Sequence, residues 1–454
     1  VTVANKINFF LISACIVLST LAYGTVHQPT IAIFYFTISA MLVIWAIDCY
    51  ASGSIRYSRS LVQVPVFATA VYAFVQIIPF GSIAETAGIV GVPRTISLAP
   101  FASEATGLHY VALGVFFSLV LVYVDSAARL KRLAMVITVF GAVYAFFAIL
   151  QSVLSPTKIY GIFERQSPFG SFVNRHNFAA YIEMAVSIPL GLLFAGAINR
   201  DKKLLYITGI TLMCVALLLS GSRGGLVALL AELLLLVFLT THTHGAKKIA
   251  LRAALSVSLI VAVIGGAFFV GGETSLSRFA ETSVSKDITT NRTHIWAVTV
   301  KAIASNMPFG AGLGAFAQAY TPYDDFNGLE RVEQAHNDYL QVLTDAGLVG
   351  ALIGGFLLFL IVRTGRRGIS VENTFRRGLA IGALSGIFAI LVHSLFDFVL
   401  HTTAISILFL ILFAVLVAAA RDYQDDERNA DRREHRRHRS SASVTVFGRE
   451  KKSS

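Results

Sequence analysis

Apolar runs recur along the whole chain, separated by short polar stretches, and most carry no charge. Reading each as a helix gives about twelve segments: 7–23, 30–47, 61–79, 107–124, 133–153, 177–197, 204–220, 225–241, 251–271, 346–363, 379–398 and 403–420. Each is near the ~20 residues that a bilayer's hydrocarbon core requires of a helix. The pattern therefore predicts an all-α polytopic membrane protein. Two polar stretches are long. Residues 80–106 hold Pro93 and Pro100 and read as an irregular loop; about 272–345 forms the largest loop.

Composition agrees. Of 454 residues 55% are hydrophobic and 14% charged, and the mean hydropathy is +0.70; a soluble protein carries about a quarter charged residues. The net charge of +11 does not point to nucleic acid, because in such a chain the placement of Lys and Arg is what informs. Alternate loops hold Arg56 and Arg59; Arg129, Lys131 and Arg132; Arg200, Lys202 and Lys203; Lys247, Lys248 and Arg252; then Arg363, Arg366, Arg367, Arg376 and Arg377. The positive-inside rule makes that side cytoplasmic, together with both termini. Residues 7–23 then read as a retained first helix rather than a cleaved leader. Cys15, Cys49 and Cys214 are far apart, which is neither a disulfide framework nor a metal-ligand spacing. The tail 421–454 mixes Arg, His, Asp, Glu and Ser with few apolar residues and reads as a disordered cytoplasmic extension.

Candidate chemistry collects on the opposite side. His336, in Ala335-His336-Asn337-Asp338-Tyr339-Leu340, ends the large loop just before a span. An imidazole there can exchange protons near neutrality, or simply face water from an interfacial helix. Arg223 sits in Ser220-Gly221-Ser222-Arg223-Gly224-Gly225, a break between two apolar runs. Its planar fork suits a phosphate; the competing reading is an arginine snorkelling at the membrane edge. Arg292 precedes His294 and Trp296, and the tryptophan suggests an interfacial helix with Arg292 along the membrane surface. Arg175 lies in Gly170-Ser171-Phe172-Val173-Asn174-Arg175-His176-Asn177. His393 and Asp397 are four apart in one late span, which places them on one helix face. They could serve chemistry or hold helices together. Gly310-Ala311-Gly312-Leu313-Gly314 lacks the strand context of a dinucleotide loop and reads as a turn leading back to the membrane. His242 and His244 lack acidic or Cys companions, so no metal site is expected there.

Taken together, these motifs resemble the O-antigen ligase and polymerase family of bacterial envelope glycosyltransferases. The resemblance rests on Ser222-Arg223-Gly224, Arg292 to Trp296, Pro308 to Gly314, and Ala335 to Leu340 with Gly347 to Gly350; Phe172 to Ala179 and Ile96-Ser97-Leu98 also fit. It implies a GT-C-like bundle over residues 1–420 with a large periplasmic loop at about 272–345. It also implies an active site at the periplasmic face of the bacterial inner membrane. The implied donor is a glycan on undecaprenyl diphosphate, and the acceptor is lipid A–core or another glycan. Activity would need no metal or other cofactor. By the resemblance His336 is the catalytic residue and Arg223 and Arg292 bind the diphosphate; the residues themselves add Arg175, Asn337, His393 and Asp397 as a second tier.

Three readings compete. A ligase caps a lipid acceptor in lipopolysaccharide biosynthesis. A polymerase extends an O-antigen or exopolysaccharide. A transporter would use the many spans with His393 and Asp397, but its site would lie near the midplane, whereas the candidate charges gather at one face.

Overall fold

The computed structural model describes residues 2–83, 92–241, 292–325 and 331–421, with isolated positions at 250, 254 and 257. Ten described helices are long and apolar enough to span a membrane. They are α1 (Val3–Leu21), α2 (Gln28–Ser52), α4 (Pro100–Tyr123), α5 (Ala127–Leu154), α6 (Arg175–Ala195), α7 (Lys203–Leu219), α8 (Arg223–Thr241), α11 (Asp338–Ile369), α12 (Thr374–His393) and α13 (Thr403–Ala420). The expected segment 61–79 is a shorter apolar stretch ending in α3 (Val64–Gln76), and 251–271 lies outside the described residues. The loop before α4 contains a small hairpin, Ser82–Ile83 against Val92–Pro93. Helix α4 starts at Pro100, earlier than the expected 107, because proline at a first helical position needs no intrahelical N–H partner. Two short helices, α9 (Arg292–Asn306) and α10 (Phe316–Tyr320), stand in the large loop.

Helices α6 and α13 are buried almost all round. The sequence of α13 is apolar on every face, whereas α6 also buries Glu183, which is paired with His393. Helix α6 packs most extensively against α12, and small residues set the approach. A Cβ on Gly191 would meet Gly382 Cα at 2.4 Å, and one on Gly382 would meet the Ser187 carbonyl oxygen at 2.5 Å. In lipid, where tails are as apolar as leucine, such close backbone contact supplies the dispersion energy that holds helices together.

Spans α6, α11 and α12 each run between two ends of the bundle. One end carries Arg56, Arg129, Arg200, Arg367 and Arg376; the other carries the starts of α6 and α11 and the end of α12. Helix α11 is broken at Gly347 (φ 57°, ψ −142°), so a short leading helix precedes the span. The glycine-rich stretch fills that break. Leu348 N–H donates to Pro308 O at 2.8 Å, Ala311 N–H to Thr344 O at 2.8 Å, and Gly312 N–H to Asp345 O at 3.0 Å. Gln76, at the end of α3, donates to Phe309 O and Asp345 O and accepts from Leu313 N–H. A Cβ at Gly347 would meet Pro308 O at 2.3 Å. The stretch is thus a turn that ties the large loop to the membrane bundle.

The α6–α12 crossing gives a prediction of opposite signs. Gly382→Ala should destabilise by about 3 kcal/mol or more, since its new methyl meets backbone rather than a movable side chain. Gly355→Ala meets nothing within 4 Å and should gain up to about 1 kcal/mol of helix propensity. Thermal unfolding of the purified protein in detergent reads both.

Candidate active site

The site forms at the end away from the basic loops, around the connection between α12 and α13. Helix α12 stops at His393, so Asp397 lies beyond the helix end. The expectation that His393 and Asp397 share a helix face is therefore corrected. Past His393 the chain turns, and the two side chains take different partners. His393 Nδ1 lies 3.0 Å from Glu183 Oε2 of α6, both fully buried. Asp397 faces the large loop.

Asp397 gathers the candidate residues. Its Oδ1 accepts from His336 Nδ1 at 3.0 Å and from Phe398 N–H at 3.0 Å. Its Oδ2 accepts from Arg292 Nη2 at 3.2 Å, with His176 Nδ1 3.8 Å away. Arg292 Nη1 also donates to the Phe396 carbonyl. The Asp397 side chain is only 2% exposed. Burial alone would push its carboxyl up, but the His336 hydrogen bond and the charges of His176, Arg292 and His336 outweigh it and hold it below the usual carboxylate range. A carboxyl depressed in the folded state stabilises the fold above its unfolded pKa and loses that stabilisation only in strong acid. Near neutrality Asp397 is ionised and can only accept, so His336 Nδ1 carries the proton. In that tautomer the ring's lone pair is on Nε2. The His336 side chain is 33% exposed, which leaves it reachable, and Phe398 packs edge-on to its ring at 4.9 Å. His336 holds φ 49°, a left-handed conformation uncommon outside glycine and enriched in histidine.

Its neighbours fix this placement. Asn337 caps α11, accepting from Tyr339 N–H and Leu340 N–H, and donates to Leu395 O. Asp338 accepts from Ser394 Oγ at 2.7 Å, Val399 N–H at 3.2 Å and Leu400 N–H at 3.3 Å, with His401 Nδ1 at 3.0 Å. Both ends of the 394–401 turn are thereby tied to the start of α11. Trp296 Nε1 donates to Ala335 O, so α9 braces the His336 segment, and Arg292 turns toward Asp397.

The remaining arginines approach from α6 and α8. Ser222 Oγ caps α8 by accepting from Gly225 N–H at 3.2 Å, and lies 2.9 Å from His176 Nδ1. Arg223 heads α8 and is exposed. Gly224 beside it packs on His393 and Phe396: an added Cβ would meet His393 Cδ2 at 2.9 Å and Phe396 Cβ at 3.2 Å. The Arg175 guanidinium lies against Gly221, 3.7 Å from where a Cβ would be. The structure thus brings together Arg292, His336 and Asp397 in direct contact, sets Arg175 and Arg223 at the adjoining helix starts, and gives Asn337 a capping role. His393 sits behind this group with Glu183. Sequence reasoning missed His176 as a neighbour of Asp397, although it lies in a motif already singled out, and gave Asp338 no part.

Among the described residues one group could hold a cation: His294, Asp324 and Asp325 place their ligand atoms within 4.8 Å of one another. His294 is two residues from Arg292, hence on another face of α9, and Asp325 is largely exposed.

Fold and site together define a multi-pass helical membrane protein with a carboxylate-ordered His–Arg cluster at one end of its bundle. Residues 208–354 match the family model described as O-antigen ligase, which supports assigning the chain to that family and a glycan-transferring function of ligase or polymerase type. The matched stretch carries Arg223, Arg292 and His336, while Arg175, His176 and Asp397 lie outside it. No curated protein matches the chain.

Asp338→Ala should leave the Val399 and Leu400 N–H groups without their acceptor. About 1–3 kcal/mol of stability is expected to be lost per orphaned buried donor. Hydrogen exchange at residues 394–401 should accelerate, while exchange in α13 stays slow.

Proposed function

We propose that this protein transfers a glycan from a polyprenyl diphosphate carrier to a sugar hydroxyl, with His336 as general base and Arg223 and Arg292 holding the diphosphate. The observation that carries the reading is the shared Asp397 carboxylate, which binds His336 Nδ1 and Arg292 Nη2 on its two oxygens. It sets a proton acceptor and a cation side by side in one reachable cluster. In the reaction the acceptor oxygen forms its bond to the anomeric carbon as the bond from that carbon to the phosphate oxygen breaks. The electron pair leaves on the diphosphate and the hydroxyl proton passes to His336 Nε2. A single displacement inverts the anomeric centre. Asp397 stabilises the imidazolium that forms. The arginines neutralise charge gathering on the leaving group, a task for which guanidinium geometry is suited. Arg292 keeps donors beyond those spent on Asp397 and Phe396, and Arg175 adds positive charge at the same end.

The site belongs, on this reading, to the periplasmic face. The positive-inside rule supports it, because the basic loops lie at the opposite end of the bundle. Cysteines introduced as Lys158→Cys and Glu333→Cys, in a Cys49→Ser background, should react with an impermeant thiol reagent in spheroplasts. Ser370→Cys should react only after lysis. Labelling of Ser370→Cys alone in intact cells would invert the orientation.

Lipid A–core fits as the acceptor of a ligase, and a second carrier-linked glycan as that of a polymerase. The envelope glycans of a deletion strain separate them: polymer stranded on its carrier marks a ligase, single unpolymerised repeats a polymerase.

The chemical test is His336→Ala. Positioned proton transfer contributes about 10²–10⁴ in rate, so single-turnover transfer should fall by that order while the carrier-linked donor still binds. Wild type should lose rate as pH falls, and the variant should lose that acidic limb. Asp397→Asn should slow transfer as well, because an amide can donate to Nδ1 and so favour the wrong tautomer. Normal turnover in His336→Ala, or loss of donor binding alone, would reduce His336 to substrate positioning.

A further inference from the structure

The basic end of the bundle holds a second charged feature, unconnected with the site above. A cavity of about 820 Å³ opens between the ends of α2, α4, α11 and α13. Four guanidiniums line it, Arg56, Arg59, Arg367 and Arg421, against one carboxylate, Asp125. These come from three separate stretches of chain. Among the described residues all the lining cations are arginines. Arg56 is 3.6 Å from the buried Asp48 and Asp125 is 3.4 Å from Arg129. Among the described residues no carboxylate pairs with Arg59, Arg367 or Arg421. Arg59 instead donates to Tyr57 Oη, and Arg421 to Leu121 O. The side chains of Ser58, Ser60 and Thr364 add hydroxyls to the same wall.

Loops on this side of a membrane protein are basic in general, so positive charge alone carries little. Two features go further. The cations converge on a concavity rather than spreading over a face, and they are of the type that grips phosphate oxygens in pairs. The cavity wall also continues as Leu121, Val122 and Val417, which belong to spans α4 and α13. A charged headgroup could sit among the arginines while its chains run down an apolar surface into the bilayer. A soluble anion would make no use of that wall. We propose that this cavity binds the phosphate headgroup of an anionic membrane phospholipid, with a two-phosphate lipid such as cardiolipin matching four guanidiniums best.

The full-length protein in neutral detergent, mixed with equal amounts of cardiolipin and phosphatidylcholine, tests this by native mass spectrometry. Wild type should retain cardiolipin preferentially. Arg367→Gln/Arg421→Gln should lower that retention about tenfold. Lys131→Gln/Arg132→Gln, two exposed charges at the same end but outside the cavity, should leave it unchanged. Should the double variant fail to fold, Arg59→Gln on its exposed loop takes its place, with a severalfold loss expected. Equal losses from both double variants would mean diffuse surface charge and overturn the proposal. So would equal retention of phosphatidylcholine, or displacement of cardiolipin by millimolar inorganic phosphate, which would mark a site for free anions. Neutralising Asp422, Asp425, Asp426 and Glu427 covers the remaining occupant: cardiolipin retention that appears only then would assign the cavity to the chain's own acidic segment.

Discussion

A carboxylate held by an imidazole recurs three times in the nine residues from His393, the last of α12, to His401. His393 meets Glu183 of α6, Asp397 meets His336 of the large loop, and His401 meets Asp338 of α11. The three positions follow one another at steps of four, yet each faces a different element because the helix has ended and the chain turns. The middle pair is the one on which the candidate site depends. Without the Asp397 carboxylate the His336 tautomer is unfixed and Arg292 loses the acceptor that aims it. The outer pairs keep the turn from moving. A buried ion pair is weak evidence for stability on its own, since desolvation offsets much of its attraction. Its contribution here is geometric: groups from α6, α9, α11 and the large loop are held to one short connection.

The spans were legible because lipid leaves a chain few options. Every backbone polar group in the bilayer must be satisfied within the segment, so an apolar run of sufficient length is a helix. Helix ends were less legible. Proline moved the start of α4 outward, and α12 stopped before the apolar run around Asp397 was finished. Both depend on local capping and tertiary bonds rather than hydropathy. The glycine-rich stretch was read correctly as a turn, but its docking partners were not. Nothing in Gln76 announces that its side-chain amide will meet Phe309 and Leu313 across more than two hundred residues, and nothing in Asp345 announces that its backbone carbonyl will meet Gly312.

The site shows the same division. The motifs around Arg223, Arg292 and His336 marked chemistry-bearing residue types at breaks between apolar runs, where charge is costly without a purpose. Their relation to Asp397 was hidden. Spacing of four suggested a partnership with His393, and that inference holds only while the helix continues. His176 was hidden for another reason: nothing in the sequence around it signals a carboxylate in the connection after α12.

Arg223 reaches the cluster by an indirect route. Ser222 caps α8 and touches His176, while the backbone of Gly224 rests on the His393 ring and on Phe396. Glu183 fixes that ring from the far side. A larger residue at position 224 would push α8 away from the turn that carries Asp397. The deep His393–Glu183 pair therefore requires no part in proton transfer to matter to the site. It supplies the surface against which α8 begins, and the start of α8 decides where Arg223 emerges relative to Arg292. One arginine is placed by a direct hydrogen bond to the central carboxylate, the other by packing on the imidazole behind it.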